Sequence, residues 1–393
     1  LATFSQPHVA VAIAQTVGAG QFTPPNPGRG GRGGNPFAAL PAFCRVAATL
    51  TPSSDSDIKI EVWLPISGWN GNFQGVVAGG LAGYIPYQLM GPALRAGYAV
   101  ASTDTGHEGP TADFMPEHPE RLIDFAHRAV HEMADKGKAI VTSYYGTAPA
   151  KSYYNGCSGG GRQGLASAQR YPNDFDGIVA GASSWNSLRM DAARAAVNVL
   201  VNQRSGGTIP AEKLKMLHEA VLRACDGLDG VRDGVLENPT RCKFNLTSLE
   251  CKGIDQSTCL TPAQIETANL LLNPLKDPKS GRVLFEGRFF WGSELDWARL
   301  TSAEPPGNIL TRLANRVYKN RNWDPRTFDV STDVDLADRV DNGLLATRDF
   351  NLKPFFDRGG KLLLYHGWAD PQVSPQNSII FYERVRDVVG KRA

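Results

Sequence analysis

Residues 153–164 read Tyr-Tyr-Asn-Gly-Cys-Ser-Gly-Gly-Gly-Arg-Gln-Gly, and this segment restricts the fold more than any other. Within it, Gly156-Cys157-Ser158-Gly159-Gly160 matches Gly-x-Ser-x-Gly, the pattern of a serine on a sharp strand-to-helix turn. A side chain two residues before or after the serine would meet the backbone of such a turn, so glycine is required there. Lys151–Tyr154 supplies a short strand before it, and Gln163–Arg170 supplies helix-forming residues after it. A helix starting at Ser158 also aims unpaired backbone N–H groups at whatever reacts there. An ordinary serine in a glycine-rich turn is the bland alternative; the flanking strand and helix favour the nucleophile elbow.

The surrounding pattern is consistent with that turn. Ile58–Leu64 alternates like a half-buried strand, and Phe73–Val77 and Tyr98–Ser102 are short apolar strands. Arg121–Tyr145 carries helical spacing at Ile123, Ala126, Val130, Met133 and Ile140, and Asp176–Ala180 is the strand after the elbow helix. Strands alternating with helices imply a parallel sheet. The expected fold is an α/β-hydrolase core with an inserted lid domain. Its first part covers 1–186, with 1–35 partly flexible, and the lid covers 187–345. The core resumes over 346–393 with Lys361–Tyr365 as a buried parallel strand. Pro24–Gly34, with two Arg-Gly-Gly repeats and no aromatics, reads as a surface loop and not as an RNA-binding segment.

With 42% hydrophobic and 20% charged residues and a net charge of +2, the composition favours neither a nucleic-acid nor a membrane partner. No apolar run approaches the ~20 residues of a membrane span. The first residues lack the features of a signal peptide and read as already processed or clipped. Cys225, Cys242, Cys251 and Cys259 cluster in a turn-rich stretch without a Cys-x-x-Cys pair, so local disulfides, Cys225–Cys242 and Cys251–Cys259, are expected instead of zinc. Disulfides place the protein in an oxidising compartment, secreted or periplasmic. Asn245-Leu-Thr247 is a glycosylation sequon that matters only in a eukaryotic source.

Asn155–Gly164 resembles the signature of the tannase and feruloyl esterase family, which also holds hydrolases of mono-hydroxyethyl terephthalate. Ala101–His107, Asp124–His131, Tyr171–Gly181, Cys225–Gly234 and Tyr365–Asp370 resemble it too, so the likeness runs from about 40 to about 380. It agrees with the two cysteine pairs. It implies a serine carboxylesterase acting on aromatic esters of the feruloyl, hydroxycinnamoyl or galloyl type through an acyl-enzyme, with a small-molecule ester as its partner. A terephthalate half-ester hydrolase and a catalytically incomplete hydrolase-fold protein are the alternatives. The lid is expected to supply the aromatic pocket. Oligomeric state is not legible.

A serine nucleophile needs a base and an acid that orients it, in the chain order serine, acid, histidine for this fold. Asp370 follows the late strand 361–365, and the resemblance places the family's acid on it. The family's base lies beyond the acid, in a His-Cys pair whose cysteine bridges to the one before the serine. The 23 residues after Asp370 contain neither histidine nor cysteine, so the catalytic histidine is absent from this chain. Either the sequence is a fragment, which would also leave Cys157 and Cys44 unpaired, or His107 or His366 serves. A bridge between Cys44 and Cys157 is the remaining possibility for that pair. His127 and His131, four apart on one helix face, lack the carboxylate motif of a metal site.

Two backbone donors for an oxyanion are expected from Gly159 and from Gly79 or Gly80 in the loop Val77–Gly83. Asp226, Asp229 and Asp233, spaced by glycines, offer hard oxygen ligands suited to a structural Ca2+. The resemblance adds the main-chain oxygens of Val231 and Val235.

Overall fold

A computed structural model of the chain describes residues 1, 4–25, 35–302 and 307–390. The stretch read as a flexible loop lies, from residue 26 on, outside the described residues. The chain divides into two compact units: Leu1–Trp185, Thr347–Tyr365 and Val385–Ala393 form the first, and Asn186–Ala346 with His366–Arg384 form the second.

The strands of the first unit are β1 (Val9–Val17), β2 (Phe43–Leu50), β3 (Ile58–Pro65), β4 (Asn72–Val77), β5 (Ala99–Thr103), β6 (Lys151–Cys157) and β7 (Gly177–Gly181). The second unit holds β8 (Leu275–Lys276) and β9 (Val283–Phe285), an antiparallel pair, and β10 (Lys361–Tyr365) returns to the first. One eight-stranded sheet runs in the order β1-β2-β3-β5-β4-β6-β7-β10. Strands β5, β4, β6, β7 and β10 pair in parallel, and β1, β2, β3 and β5 pair antiparallel. The helices of the first unit are α1 (Tyr87–Arg95), α2 (Pro119–Ile123), α3 (Ala129–Tyr145) and α4 (Gly159–Arg170). The second unit has α5 (Ser187–Asn202), α6 (Ala211–Cys225), α7 (Pro262–Leu272), α8 (Gly307–Arg312) and α9 (Val330–Asp341). Helices α10 (Lys353–Asp357) and α11 (Gln376–Val389) complete the chain.

Several sequence expectations need correction. Residues 9–17, read only as part of a partly flexible start, form β1, which pairs with β2 from Val9 to Val17 with a register shift between Val11 and Ile13. Strand β3 is buried on both faces and not on one. Its inward charge, Glu61, is satisfied by Arg45, by Trp63 Nε1 (2.9 Å) and by the Tyr87 hydroxyl (2.8 Å), so the second face closes without an orphaned carboxylate. The helix expected over 121–145 forms without a gap, but it holds a π turn at Asp124–Arg128, between α2 and α3. Such a turn shifts the i→i−4 ladder and leaves carbonyls to be met from outside. Strand β10 is parallel to β7 as expected, but it is the outermost described strand, with Leu363 and Tyr365 about half exposed.

In the second unit, Leu217, Val221, Leu260 and Trp297 centre one apolar cluster, and Ala192, Leu313, Val334 and Ala337 centre another. Thr261 starts α7 with a capping box: its hydroxyl accepts from Gln264 N, and the Gln264 side chain accepts from Thr261 N. Both expected disulfides are present, Cys225–Cys242 and Cys251–Cys259. Among the described residues, no helix is long and apolar enough to cross a membrane.

Candidate active site

Strand β6 alternates strictly between exposed and buried positions and delivers Ser158 at its end. Ser158 sits at φ 58° and ψ −117°, where an L-residue costs ~1–3 kcal/mol and persists only when its surroundings hold it. The surroundings are specific. Ser158 N donates to Gly181 O (2.9 Å), and Ser158 O accepts from Arg162 N (2.9 Å), the first bond of α4. The buried Tyr154 hydroxyl donates to Gly160 O (2.7 Å) and fixes the first turn from below.

The glycines at this turn are there for space. A Cβ on Gly156 would stand 2.6 Å from Gly160 C, one on Gly160 2.6 Å from Val77 O, and one on Gly161 2.4 Å from Gly181 O. All three obstacles are backbone atoms, which cannot swing aside. The loop after β4 closes over the same point. A Cβ on Gly79 would lie 3.1 Å from Ser158 Cβ, and one on Gly159 would lie 2.8 Å from both Gly80 N and Gly80 O. Ser158, Gly159, Gly79 and Gly80 are therefore packed backbone to backbone. Gly80 itself has φ +67°, a left-handed position that suits glycine.

The segment after β5 holds that loop in place. His107 is buried, stacked on Phe114 (ring centroids 4.2 Å apart), and its Nε2 lies 3.1 Å from Leu81 O. A carbonyl only accepts, so Nε2 carries the hydrogen and Nδ1 accepts from the Thr105 hydroxyl (3.2 Å). Gly83 and Gly109 exchange both backbone bonds, at 2.9 and 3.1 Å. Asp104 Oδ1 accepts from Gly106 N (2.8 Å) and Lys59 N (3.0 Å); burial, outweighing both bonds, pushes its pKa up to about 7. Burial lowers the His107 pKa, and with both nitrogens engaged it offers no free lone pair. It clamps a loop and is not placed as a base.

Arg162 stands in the signature segment, but sequence reasoning assigned it no role. It is fully buried, and its guanidinium donates to Ala126 O (2.8 Å) and Phe125 O (3.1 Å), with Gln163 Nε2 also on Phe125 O (2.9 Å). These are carbonyls of the π turn, so the Arg-Gln pair that follows the three glycines joins α4 to the helix behind it. His127 and His131 do not converge. His127 Nδ1 meets the Tyr171 hydroxyl (2.9 Å), and His131 Nδ1 meets Asp174 (2.8 Å) while its ring stacks on Tyr171.

In the second unit, Asp370 ends a turn in which its amide donates to Gly367 O (3.1 Å). Burial would raise its carboxyl, but the hydrogen bond from His366 and the amides of Val373 (3.0 Å) and Gln372 (2.8 Å) outweigh this and hold it below the usual range. His366 Nε2 donates to Val373 O (2.9 Å) and lies 3.3 Å from Asp370 Oδ2, while Nδ1 accepts from the Ser378 hydroxyl (2.7 Å). Both its nitrogens are committed as well. Asp226, Asp229 and Asp233 each accept from a backbone amide of their own turn: Gly234 (3.2 Å), Val231 (2.9 Å) and Val235 (3.1 Å). They are not drawn together. The one described cluster of three metal-capable side chains is Cys251, Asp255 and Cys259, whose two sulfurs form a disulfide and whose carboxylate pairs with Lys213. Cys44 and Cys157 are free thiols, Cys157 exposed.

A parallel sheet with a strained serine between strand and helix, under a glycine loop from the neighbouring strand, defines an α/β-hydrolase. The model for tannase and feruloyl esterase matches residues 44–393. Over 98% of its length the chain is 36% identical to an uncharacterized esterase of Xanthomonas campestris pv. campestris, and it covers 69% of that protein. It is also 36% identical, over 93% of its length, to Probable feruloyl esterase B-1 of Aspergillus oryzae, of which it covers 68%. The crystal structure of feruloyl esterase B from Aspergillus oryzae superposes with a TM-score of 0.89 at 33% identity, over 98% of this chain and 77% of that one. The chain belongs to the tannase and feruloyl esterase family, and with it to the carboxylic ester hydrolases. It spans 69, 68 and 66% of the length of three curated relatives that it matches.

Proposed function

We propose that the protein is a serine carboxylesterase that cleaves esters of aromatic acids, with Ser158 as nucleophile. The observation that carries this is the strained Ser158 backbone packed against Gly159, Gly79 and Gly80. In this reading a base takes the Ser158 proton as the hydroxyl attacks the ester carbonyl and gives it to the departing alcohol as the acyl-enzyme forms; water, deprotonated by the same base, then releases the acid and restores the Ser158 hydroxyl. The amides of Gly159 and of Gly79 or Gly80 stabilise the oxyanion, and His107 keeps their loop at the right height through Leu81 O. Asp370, ionised at neutral pH, orients the base. Neither His107 nor His366 has a nitrogen left for that role. The names of the relatives support a feruloyl-type acid as substrate. The second unit, as the lid, is the proposed source of the aromatic pocket, and its disulfides are consistent with a secreted or periplasmic protein.

A structural Ca2+ on the Asp226–Asp233 turn belongs to the same proposal. Three hard carboxylates on a glycine-rich turn suit that ion, with the main-chain oxygens of Val231 and Val235 as further ligands. Binding would require the three to turn from their backbone amides.

The test is Ser158→Ala in the natural gene product, assayed on methyl ferulate. A fall in kcat/KM of about 10⁴-fold or more with an unchanged circular dichroism spectrum is expected. Unchanged kinetics would remove Ser158 from the mechanism.

A further inference from the structure

The backbone donors proposed for the oxyanion belong to residues with no side chain. Gly159 opens α4, and Gly79 and Gly80 lie in the loop after β4, Gly80 at φ +67°. The two elements touch backbone to backbone, which sets a closest approach but not a fixed spacing. The grip on each must come from behind. Arg162 grips α4, one turn beyond Ser158: Nη1 donates to Ala126 O (2.8 Å) and Nη2 to Phe125 O (3.1 Å). His107 grips the loop through Leu81 O (3.1 Å).

Both grips meet on one residue. Phe125 is buried in the π turn, where Ala129 N donates to Asp124 O, five residues back; an α-helix would have given that amide Phe125 O. Phe125 O accepts from the Arg162 and Gln163 side chains. The Arg162 guanidinium also lies over the Phe125 ring, its Cζ 5.1 Å from the centroid, and the His107 ring meets the same ring edge-on at 5.4 Å. Phe114 closes the cluster, stacked on His107 and 5.7 Å from Phe125. The path from Ser158 to the glycine loop is unbroken: α4, Arg162, Phe125, His107, Leu81 O. A buried guanidinium carries a desolvation penalty that an apolar side chain of equal volume would avoid. What it adds is direction, because two N–H bonds from a rigid fork fix how α4 is turned against the π turn.

We propose that Arg162 and Phe125 are positioning residues for ester cleavage, holding the Gly159 amide at a fixed distance from the Gly79 and Gly80 amides through the π turn. This rests on the esterase reading and adds a requirement to it: the donors stay aligned only while both side chains are in place. A misplacement of ~1 Å at such donors costs a rate factor of up to about 10².

The test uses the natural gene product and has two readouts. Hydrogen exchange of the 77–83 segment, followed by mass spectrometry, requires no turnover. Arg162→Met and Phe125→Leu should each speed exchange there about tenfold or more, and Arg162→Lys should keep part of the protection. On methyl ferulate, with active sites counted by a fluorophosphonate, the same two variants should lose about 10- to 100-fold in kcat with KM changed less than about twofold. Their preference for methyl ferulate over its thionoester should also shrink, because sulfur and oxygen fit the paired donors differently. A purely structural role would lower the melting temperature and leave kcat per site and that preference as they are, which overturns the proposal. Unchanged exchange at 77–83 in both variants overturns it too. If Arg162→Met does not fold, Phe125→Leu carries the same two readouts. Failure of the unmodified protein to cleave methyl ferulate is a separate result: it removes the esterase reading, while exchange still decides whether the π turn holds helix and loop together.

Discussion

Two glycine-rich turns, Gly156–Gly161 and Gly227–Gly234, look alike in the sequence and are built on opposite principles. In the first, glycine is present because other backbone crowds it: Gly156, Gly160 and Gly161 each have a backbone atom within 2.6 Å of where a Cβ would be. In the second, Gly230 (φ +99°) and Gly234 (φ +83°) have nothing within 4 Å, and glycine is present only because the chain turns left-handed. The first turn is held by strands β4, β6 and β7 and helix α4, and can store the strain at Ser158. The second is exposed, held by its own carboxylate-to-amide bonds and by the Cys225–Cys242 bridge beside it. Crowding fixes the backbone at Ser158; openness leaves a geometry for something else to set.

The comparison can be broken in several places, of which Gly161→Ala should have the largest effect. Its Cβ would meet Gly181 O and Ser183 Oγ, so the helix or the strand must move, at a cost of ~3 kcal/mol or more. Urea denaturation measures this, and a cost below ~1 kcal/mol would show that the elbow is softer than its packing implies. Next, His107→Leu removes the donor to Leu81 O and should lower kcat on methyl ferulate ~10- to 100-fold with little change in KM. His107→Gln keeps a donor and should recover part of the loss; a KM-only effect in both would assign His107 to ligand binding.

Asp104, behind the same loop, gives a pH signature. Its pKa is raised from 3.8 to about 7 in the folded protein, so the folded state binds the extra proton. The stability this contributes is complete below pH 3.8 and is lost as pH rises through about 7, at a slope of up to about 1.4 kcal/mol per pH unit. Asp104→Asn should flatten the melting temperature across that window while keeping an acceptor for the Gly106 and Lys59 amides. In the open turn, chelation should lower the melting temperature by a few degrees if Ca2+ binds only the folded form, and elemental analysis should find one ion per chain. Smallest of all, Gly230→Ala should cost only ~1 kcal/mol, because strain in φ is its sole penalty.

Much of the core was legible. The elbow, its strand and helix, the parallel strands after it and both disulfides follow from local pattern: glycine spacing, apolar runs, and cysteines close in sequence. Strand β1 escaped because an edge strand with one exposed face carries a weak alternation. The buried outer face of β3 escaped because Glu61 reads as a solvent-facing charge until Arg45, Trp63 and Tyr87 are seen around it.

Local sequence thus determined where the chain must turn sharply and which residue types it presents there, since steric limits on φ and ψ act between neighbours. The tertiary structure alone decided what each polar group is for. His107 and His366 are candidate bases by composition, yet a carbonyl and a hydroxyl occupy both nitrogens of each. Arg162 and Arg194 are both arginines on helices, yet the guanidinium of the first is spent on two carbonyls while Nε of the second is enclosed with no hydrogen bond among the described residues. Hydrogen-bond partners come from segments tens of residues away, so no spacing rule reveals whether a buried donor is spent or free.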